Sequence, residues 1–199
     1  MVNLAVIHYS QTGNVHRMAK AAAEEAEAAG AAVRLRKVAE NAPPEAIRSN
    51  PDWVAHREAV ADLEEAEIDD LEWADAVMWG TPTRYGVPCS QIRQFVDQTG
   101  GLWQRGGLVN KVMSTFVSTQ TSHGGQETTI LTMNNTFYHW GAIVVGIGYT
   151  DPAMFELELG NPYGASHIAN AGPVNEKNRQ ELRIQVRRVL EIAAKIKGE

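Results

Sequence analysis

The sequence predicts an α/β fold in which helices cover both faces of a parallel sheet. Short apolar segments alternate along the chain with segments rich in helix-forming residues. The first, Leu4–Tyr9, is almost continuously apolar, as expected for a strand buried on both faces. The last, Glu176–Lys197, carries an apolar stripe at helical spacing. The length of 199 residues suits one full-sized core, so we expect a single domain spanning residues 1–199.

Five segments are predicted to be strands because each is short and followed by turn-forming or helix-forming residues, and all but the second are mostly apolar. In chain order they are Leu4–Tyr9, Ala32–Val38, Ala76–Trp79, Lys111–Val117 and Ala142–Gly146. The second is rich in arginine and lysine, which suits the edge of a sheet. Five strands alternating with helices favour the flavodoxin-like order 2-1-3-4-5 over a six-stranded dinucleotide-binding fold. The expected architecture is a flavodoxin-like three-layer α/β/α sandwich with a five-stranded parallel sheet.

The other segments divide into helices and connections. Helix-forming residues and apolar residues at helical spacing predict helices at Val15–Ala29, Cys89–Gln98, Glu127–Trp140 and Glu176–Lys197. Ser90 is a candidate cap of the second helix. Prolines and glycines predict irregular connections at Asn41–Asp52, Gly100–Gly107 and Ile147–Pro173. The acidic segment His56–Asp75 is expected to be partly helical, and because its carboxylates lack a regular ligand spacing, no metal site is predicted there.

Composition narrows the classes of function. The formal net charge is −6 and the pI about 5.5, which disfavours nucleic acid as the main partner. The single cysteine, Cys89, rules out an intrachain disulfide and suits a reducing, cytoplasmic setting. The N-terminal residues are predicted to begin a strand, and they lack the cationic start and the cleavage site of a signal peptide. No apolar run approaches the ~18–20 residues of a membrane span.

The loop after the first strand has the features of a phosphate site. It comprises Ser10, Gln11, Thr12, Gly13, Asn14 and Val15. Free N–H groups and the positive end of a helix dipole favour phosphate here, and two hydroxyls add donors. The loop contains no lysine and neither the G-x-x-x-x-G-K-[ST] nor the G-x-G-x-x-G pattern, which disfavours triphosphates and Rossmann dinucleotides. A terminal monophosphate such as that of FMN fits, although this motif alone suits a simple capped turn equally well.

The loop after the third strand, Gly80–Gly86, offers contacts for a flavin ring. Thr83 and the backbone amides can contact the ring edge, Arg84 can place positive charge near the flavin or substrate, and Tyr85 can form an aromatic wall. The alternative is an ordinary proline-glycine turn with a surface arginine. Cys89 follows closely, and we interpret it as a small packed side chain rather than a nucleophile.

The loop after the fourth strand, Ser118–Gly125, is made of small polar residues that can wrap a planar ring. Its candidate flavin contacts are Ser118, Thr119, Gln120, Thr121 and Gly124. His123 is interpreted as an exposed loop histidine, and His139, near the end of the next helix, is by itself more often a packed residue than a ligand. Each loop is weak evidence alone. Ligands of parallel α/β sheets bind beyond the carboxyl ends of the strands, so the three loops are expected to converge on one FMN site.

These residues also carry a family resemblance. Gly80–Trp103 reads GTPTRYGVPCSQIRQFVDQTGGLW, and further matches are GGQETT at Gly124–Thr129, IGY at Ile147–Tyr149 and NPYGAS at Asn161–Ser166. Together they resemble the WrbA family of FMN-dependent NAD(P)H:quinone oxidoreductases over most of the chain. The Gly80–Trp103 stretch is highly specific, unlike a bare glycine motif.

The resemblance implies a set of functional residues and a mechanism. FMN would be held by Ser10–Val15, by Thr83–Tyr85 and by the loop that starts at Ser118. His139 would lie at the flavin and Trp103 at the quinone pocket. A homotetramer would complete the flavin pocket across subunits. The implied reaction is two-electron, ping-pong hydride transfer from NADH or NADPH to a quinone, with Arg84 and His139 as candidates for stabilising charge.

Three departures from the family pattern bear on substrate preference. Thr12 stands where the family often has an aromatic residue that helps to hold the pyridine nucleotide, while Gln120 and His123 stand in a loop that is richer in glycine in the family. The SQTGN core is closer to flavodoxins proper. Two alternatives therefore stay open: a flavodoxin-type electron carrier that acts with protein partners, and a flavin-free interaction module on the same fold.

Overall fold

A parallel sheet forms the middle layer of the molecule. The computed structural model describes residues 1–156 and 160–198. Within them the strands are β1 (Asn3–His8), β2 (Ala32–Lys37), β3 (Ala76–Arg84), β4 (Val87–Pro88), β5 (Val112–Thr119), β6 (Ile143–Val144) and β7 (Ser166–Ile168). Along the main path the order is β2-β1-β3-β5-β6, all parallel. This confirms the predicted order 2-1-3-4-5 and the edge position of the charged second strand.

Helices cover both faces of the sheet. The described helices are α1 (Asn14–Ala28), α2 (Pro44–Arg48), α3 (Pro51–Ala59), α4 (Ile68–Trp73), α5 (Ser90–Asp97), α6 (Gly100–Gln104), α7 (Gln126–His139), α8 (Ala153–Glu156) and α9 (Glu176–Lys197). In β1, Leu4 and Val6 pack on one side with α1 and α9, whereas Ala5 and Ile7 pack on the other with α5 and α7. Because alternate residues of a strand point to opposite faces, a strand between two helical layers must be apolar throughout.

Three strands end more than one residue away from their predicted ends. β3 continues to Arg84 instead of ending at Trp79, because its last two residues pair with the antiparallel β4. β5 continues to Thr119, because β7 pairs with its end. The fifth strand is reduced to the two residues of β6. The end of β3 is decided by a hairpin with β4, which follows after two residues, whereas the end of β5 is decided by β7, a partner far along the chain.

The segments predicted as irregular contain short helices. Pro44 and Pro51 begin α2 and α3, where a missing N–H costs nothing. Gly100–Gly107, predicted as a loop, contains α6. Cys89, not Ser90, is the N-cap residue of α5. The predicted long loop at Ile147–Pro173 contains α8 and β7, and residues 157–159 within it lie outside the described residues.

The C-terminal helix α9 binds the segment Asn161–Ser166 through two buried polar side chains. The carboxylate of Glu181 accepts hydrogen bonds from the N–H groups of Asn161 and Ser166, both at 3.3 Å. Gln185 accepts from Ala165 N at 3.0 Å and donates to Ser114 Oγ at 2.7 Å. These contacts align β7 beside the end of β5.

None of the helices in the described ranges is long and apolar enough to cross a membrane.

Candidate functional site

A cavity of about 680 Å³ opens at the carboxyl ends of β1, β3 and β5. The three predicted loops all reach it. Thirteen predicted site residues line it: Ser10, Gln11, Thr12, Asn14, Val15, Thr83, Arg84, Tyr85, Ser118, Thr119, Gln120, Thr121 and Gly124. The expected convergence of the loops is therefore present in the structure, and it follows from the parallel order of the three strands.

The first loop is shaped to expose helix N–H groups. Gly13 is the N-cap of α1 and has a φ of 95°, a left-handed conformation that favours glycine. Its N–H donates to Ser10 Oγ at 3.1 Å, which folds the loop back on itself. The N–H groups in the first turn of α1 lack partners within the helix, so they and the helix dipole favour an anion beside Asn14 and Val15.

Sequence reasoning missed a cluster of basic residues behind this loop. Arg17 Nη2 donates to Asn14 Oδ1 at 2.5 Å. A Cβ placed on Gly13 would lie 3.0 Å from Arg17 Nη1 and 3.4 Å from His56 Nδ1, so both side chains cover this glycine. His16 contacts His8 through ring nitrogens 3.0 Å apart. Arg17 follows Asn14 by three residues on α1, and this helical spacing could have predicted that the two side chains meet. No feature of the neighbouring sequence could have predicted that His56 lies beside the same loop.

The histidines of this cluster favour the neutral state. Burial and the neighbouring His16 lower the pKa of His8 to about 3, and burial lowers that of His56 to about 4. His8 and His56 also line a second cavity of about 290 Å³, which shares Ser10 with the first. Among residues 1–156 and 160–198, no group of three or more histidine, cysteine or acidic side chains is arranged to hold a metal ion.

The end of β3 is fixed by contacts with the first loop and with α7. Arg84 Nη2 donates to Gln11 Oε1 at 2.6 Å, which bridges two rims of the cavity. Thr83 Oγ1 lies 2.7 Å from Thr129 Oγ1 of α7. Tyr85, with a φ of 53°, is fully exposed at the cavity edge. This exposure leaves one of its faces free to form a wall above a ligand.

Two glycines allow the second and third loops to touch. A Cβ on Gly125 would lie 2.7 Å from Gly86 Cα, and Gly125 has a φ of 87°. Both glycines line the cavity, although neither was among the predicted site residues. Positive φ and close backbone approach are the usual reasons for glycine at such a position, but the partner across the gap cannot be read from one chain segment.

The end of β5 is held from two sides. Gln126 Nε2 donates to Thr119 Oγ1 at 3.0 Å, and Thr119 Oγ1 donates to Thr121 O at 2.8 Å. Ser118 Oγ lies 3.0 Å from Nδ1 of His167, a residue of β7 that sequence reasoning did not select. His123, which is exposed as expected, also lines the cavity.

Trp103 and His139 lie together but away from this cavity. Trp103 Nε1 donates to the backbone oxygen of His139 at 2.9 Å, and both side chains are exposed. Neither lines the cavity of the single chain. Their placement at a flavin and a quinone therefore needs a second subunit, and it stays a prediction.

Cys89 is a packed side chain. It is buried, and Thr81 Oγ1 lies 3.5 Å from its Sγ. Burial raises the pKa of the thiol, which keeps it protonated and unreactive at neutral pH.

Comparison with known proteins gives a consistent result across the chain. Residues 2–151 match the model of the family described as NADPH-dependent FMN reductase. A protein of Deinococcus radiodurans named NAD(P)H dehydrogenase (quinone) is 49% identical over 197 residues, which cover 99% of this chain and 98% of that protein. A protein of Geobacter sulfurreducens with the same name is 42% identical and covers 99% of this chain and 100% of its own.

Solved structures agree on the fold. A WrbA-like flavodoxin from Agrobacterium tumefaciens is similar with a TM-score of 0.69 at 22% identity, covering 98% of this chain and 99% of its own. Flavodoxin 2 from Bacillus cereus is similar with a TM-score of 0.64 at 14% identity, covering 95% of this chain and 98% of its own. At these identities the likeness concerns the fold alone.

Proposed function

Because the chain belongs to the WrbA family of flavodoxin-like proteins, we propose that it is an FMN-dependent enzyme that reduces quinones with NADH or NADPH. The observation that carries the proposal is the convergence of three polar loops on one cavity. The names of the full-length relatives support the reaction.

The residues of the cavity fit FMN. Its volume of about 680 Å³ lies within the roughly 300–1,000 Å³ of small-ligand sites. One end offers the N-terminus of α1 and the hydroxyls of Ser10 and Thr12, which suit a phosphate. The other end offers Thr83, the exposed ring of Tyr85 and the amides beside Gly124, which suit a flat ring with polar edges. Both groups of residues line one opening.

When bound, FMN would supply the hydride acceptor and donor, and the protein would position and tune it. Arg84 would place positive charge at the cavity rim, where negative charge develops on reduction. Its bond to Gln11 holds the guanidinium in that position. The same cavity would take the nucleotide and the quinone in turn, which is the basis for proposing ping-pong kinetics.

Trp103 and His139 are proposed to act across subunits. Both are exposed on the surface of this chain, so a neighbouring copy in a homotetramer can bring them to the open side of a cavity. His139 would then help Arg84 to stabilise charge on the quinone oxygen, and Trp103 would line the quinone pocket. We further propose a cytoplasmic location, which suits the lone cysteine.

Anaerobic stopped-flow measurements test this function. We expect NADH or NADPH to bleach the FMN-loaded protein directly and benzoquinone to restore its colour rapidly. Parallel initial-velocity lines would support the ping-pong order. Slow reduction by both nucleotides, with accumulation of a one-electron-reduced protein, would instead favour the electron carrier. Protein that stays colourless in excess FMN would contradict the flavin proposal altogether.

Two substitutions test the assigned residues. Arg84→Ala and His139→Ala should each lower quinone turnover while the circular dichroism spectrum is unchanged. Arg48→Ala, which removes an exposed arginine of α2, is the matched control and should keep full turnover. Unchanged kinetics in both test variants would reject the proposed charge stabilisation.

A further inference from the structure

His167 of β7 lies directly behind the wall of the cavity. It is buried, and it faces Ser118 of β5 in the register of the two parallel strands. Ser118 Oγ and His167 Nδ1 are 3.0 Å apart. Ser118 lines the cavity and His167 does not, so the imidazole ring reaches the cavity through this hydroxyl.

The second ring nitrogen determines where the proton of His167 lies. His167 Nε2 is 2.9 Å from the backbone oxygen of Gly172. A carbonyl oxygen can only accept a hydrogen bond, so Nε2 carries the proton and donates it. In the neutral ring Nδ1 is then a bare acceptor, and the Ser118 hydroxyl must donate to it. A short turn of 3₁₀ helix at Ala169–Ala171 brings this carbonyl back to the ring.

We infer that His167 is a positioning residue that fixes the Ser118 hydroxyl as a hydrogen-bond acceptor toward the bound cofactor. A hydroxyl has one proton and two acceptor sites, and here the proton is committed to the histidine. Ser118 can therefore receive a donor from the cavity but cannot donate into it. A phosphate dianion is an acceptor and gains nothing from this oxygen. The fitting partner is a donor group of the cofactor, which is either a hydroxyl of the ribityl chain or the N–H of the flavin ring. This inference rests on the proposed FMN site.

The surroundings of His167 keep the ring neutral. Burial lowers its pKa although the hydrogen bond to Gly172 O opposes the shift, and the positive charge of Arg17 on α1 adds to the lowering. On the side of α9, the buried carboxyl group of Glu181 accepts a hydrogen bond from the N–H of Ser166, and Asn178, which donates to Ser166 O, is uncharged. Protonation of Nδ1 would reverse the bond to Ser118 and turn its hydroxyl proton toward the cavity.

Three variants separate this role from simple packing. Ser118→Ala and His167→Gln should each raise the Kd for FMN by about 3- to 10-fold, the range of one net hydrogen bond. Gln reaches toward Gly172 but leaves Ser118 without its acceptor. His167→Asn places an amide oxygen near the position of Nδ1, where it can accept from Ser118, and should therefore keep the Kd of the wild type. Ser122→Ala, an exposed serine of the same loop, is the matched control.

The double variant Ser118→Ala with His167→Gln gives the decisive comparison. If the histidine acts through the serine, the Kd of the double variant for FMN is no higher than that of the single variant that binds FMN more weakly. Additive losses would overturn the inference, as would an unchanged Kd for His167→Gln. Thermal unfolding of each variant shows that the Kd values refer to folded protein.

Nitrogen NMR of the histidine rings tests the tautomer without any activity. In protein labelled with ¹⁵N-histidine, the His167 signals are those missing from His167→Asn. At pH 7.5 we expect a neutral ring with its proton on Nε2, and a proton on Nδ1 would overturn the inference. This measurement applies to the cofactor-free chain as well, so failure of the FMN proposal and failure of the positioning role are distinguishable.

Discussion

The buried carboxyl of Glu181 makes the stability of the protein depend on pH. Glu181 is 3% exposed, and burial raises its pKa from 4.5 to about 7 although two N–H groups oppose the shift. The folded state therefore binds this proton more tightly than the unfolded state does. The contribution to stability is complete below pH 4.5 and is lost as pH rises through about 7.

The size of the effect follows from the shift. Each pKa unit corresponds to about 1.36 kcal/mol, so a shift of roughly 2.5 units corresponds to about 3 kcal/mol between pH 4.5 and pH 8. His8 and His56 oppose this trend, because their lowered pKa values make the folded state more stable as pH rises. The quantity to measure is therefore the difference between wild type and Glu181→Gln, in which these other groups cancel.

Urea unfolding at fixed protein concentration, between pH 4.5 and pH 8, provides this difference. We expect the free energy of unfolding of the wild type to fall by about 3 kcal/mol relative to Glu181→Gln across this range. Glu58→Gln, at an exposed position of α3, should show a difference that stays constant within about 0.5 kcal/mol. If the difference in free energy of unfolding between the wild type and Glu181→Gln does not change with pH, the argument that burial holds the proton on Glu181 is refuted.

Three further predictions concern stability and cofactor binding. Gly164→Ala should lower the free energy of unfolding by about 3 kcal/mol in thermal or urea unfolding, the upper end of the usual cost of overpacking, because its Cβ would lie 2.1 Å from the backbone oxygen of Thr115. Gly100→Ala, whose Cβ meets nothing within 4 Å, is the control and should be near neutral. Asp70→Ala should lower the free energy of unfolding by about 3 kcal/mol in the same assay, because this buried carboxylate accepts hydrogen bonds from two arginines. A loss below about 1 kcal/mol would contradict that reasoning. Gly13→Ala should weaken the binding of FMN more than that of riboflavin in fluorescence titrations. The reason is that a φ of 95° costs alanine about 1–2 kcal/mol in the loop that is proposed to hold the phosphate, a group that riboflavin lacks. Equal losses of affinity for both ligands would argue against that placement.

Local patterns in the sequence were enough to predict most of the architecture. Leu4–Tyr9 and Ala32–Val38 are strands within one residue of their predicted ends, and the predicted helix at Glu176–Lys197 is confirmed at both ends. These successes depend on apolar periodicity and charge, which act over neighbouring residues. The topological rule for parallel sheets then predicted, without side-chain detail, that the three polar loops meet.

Contacts between distant segments decided the parts that the sequence did not reveal. β7 lengthens β5 and brings His167 to Ser118, 49 residues away along the chain. Gly125 meets Gly86 only because two loops close on each other.

The layer order and the edge of the sheet at which the cavity forms both follow from local periodicity and from the parallel connection of the strands, so they could be predicted from the amino-acid sequence. The side chains that stand behind the cavity wall could be identified only from the folded structure. His167 and the cluster around Arg17 come from elements whose approach is set by packing. Hydrogen bonds across such contacts carry no periodic signal in the sequence, because their partners are separated by lengths of chain that vary freely.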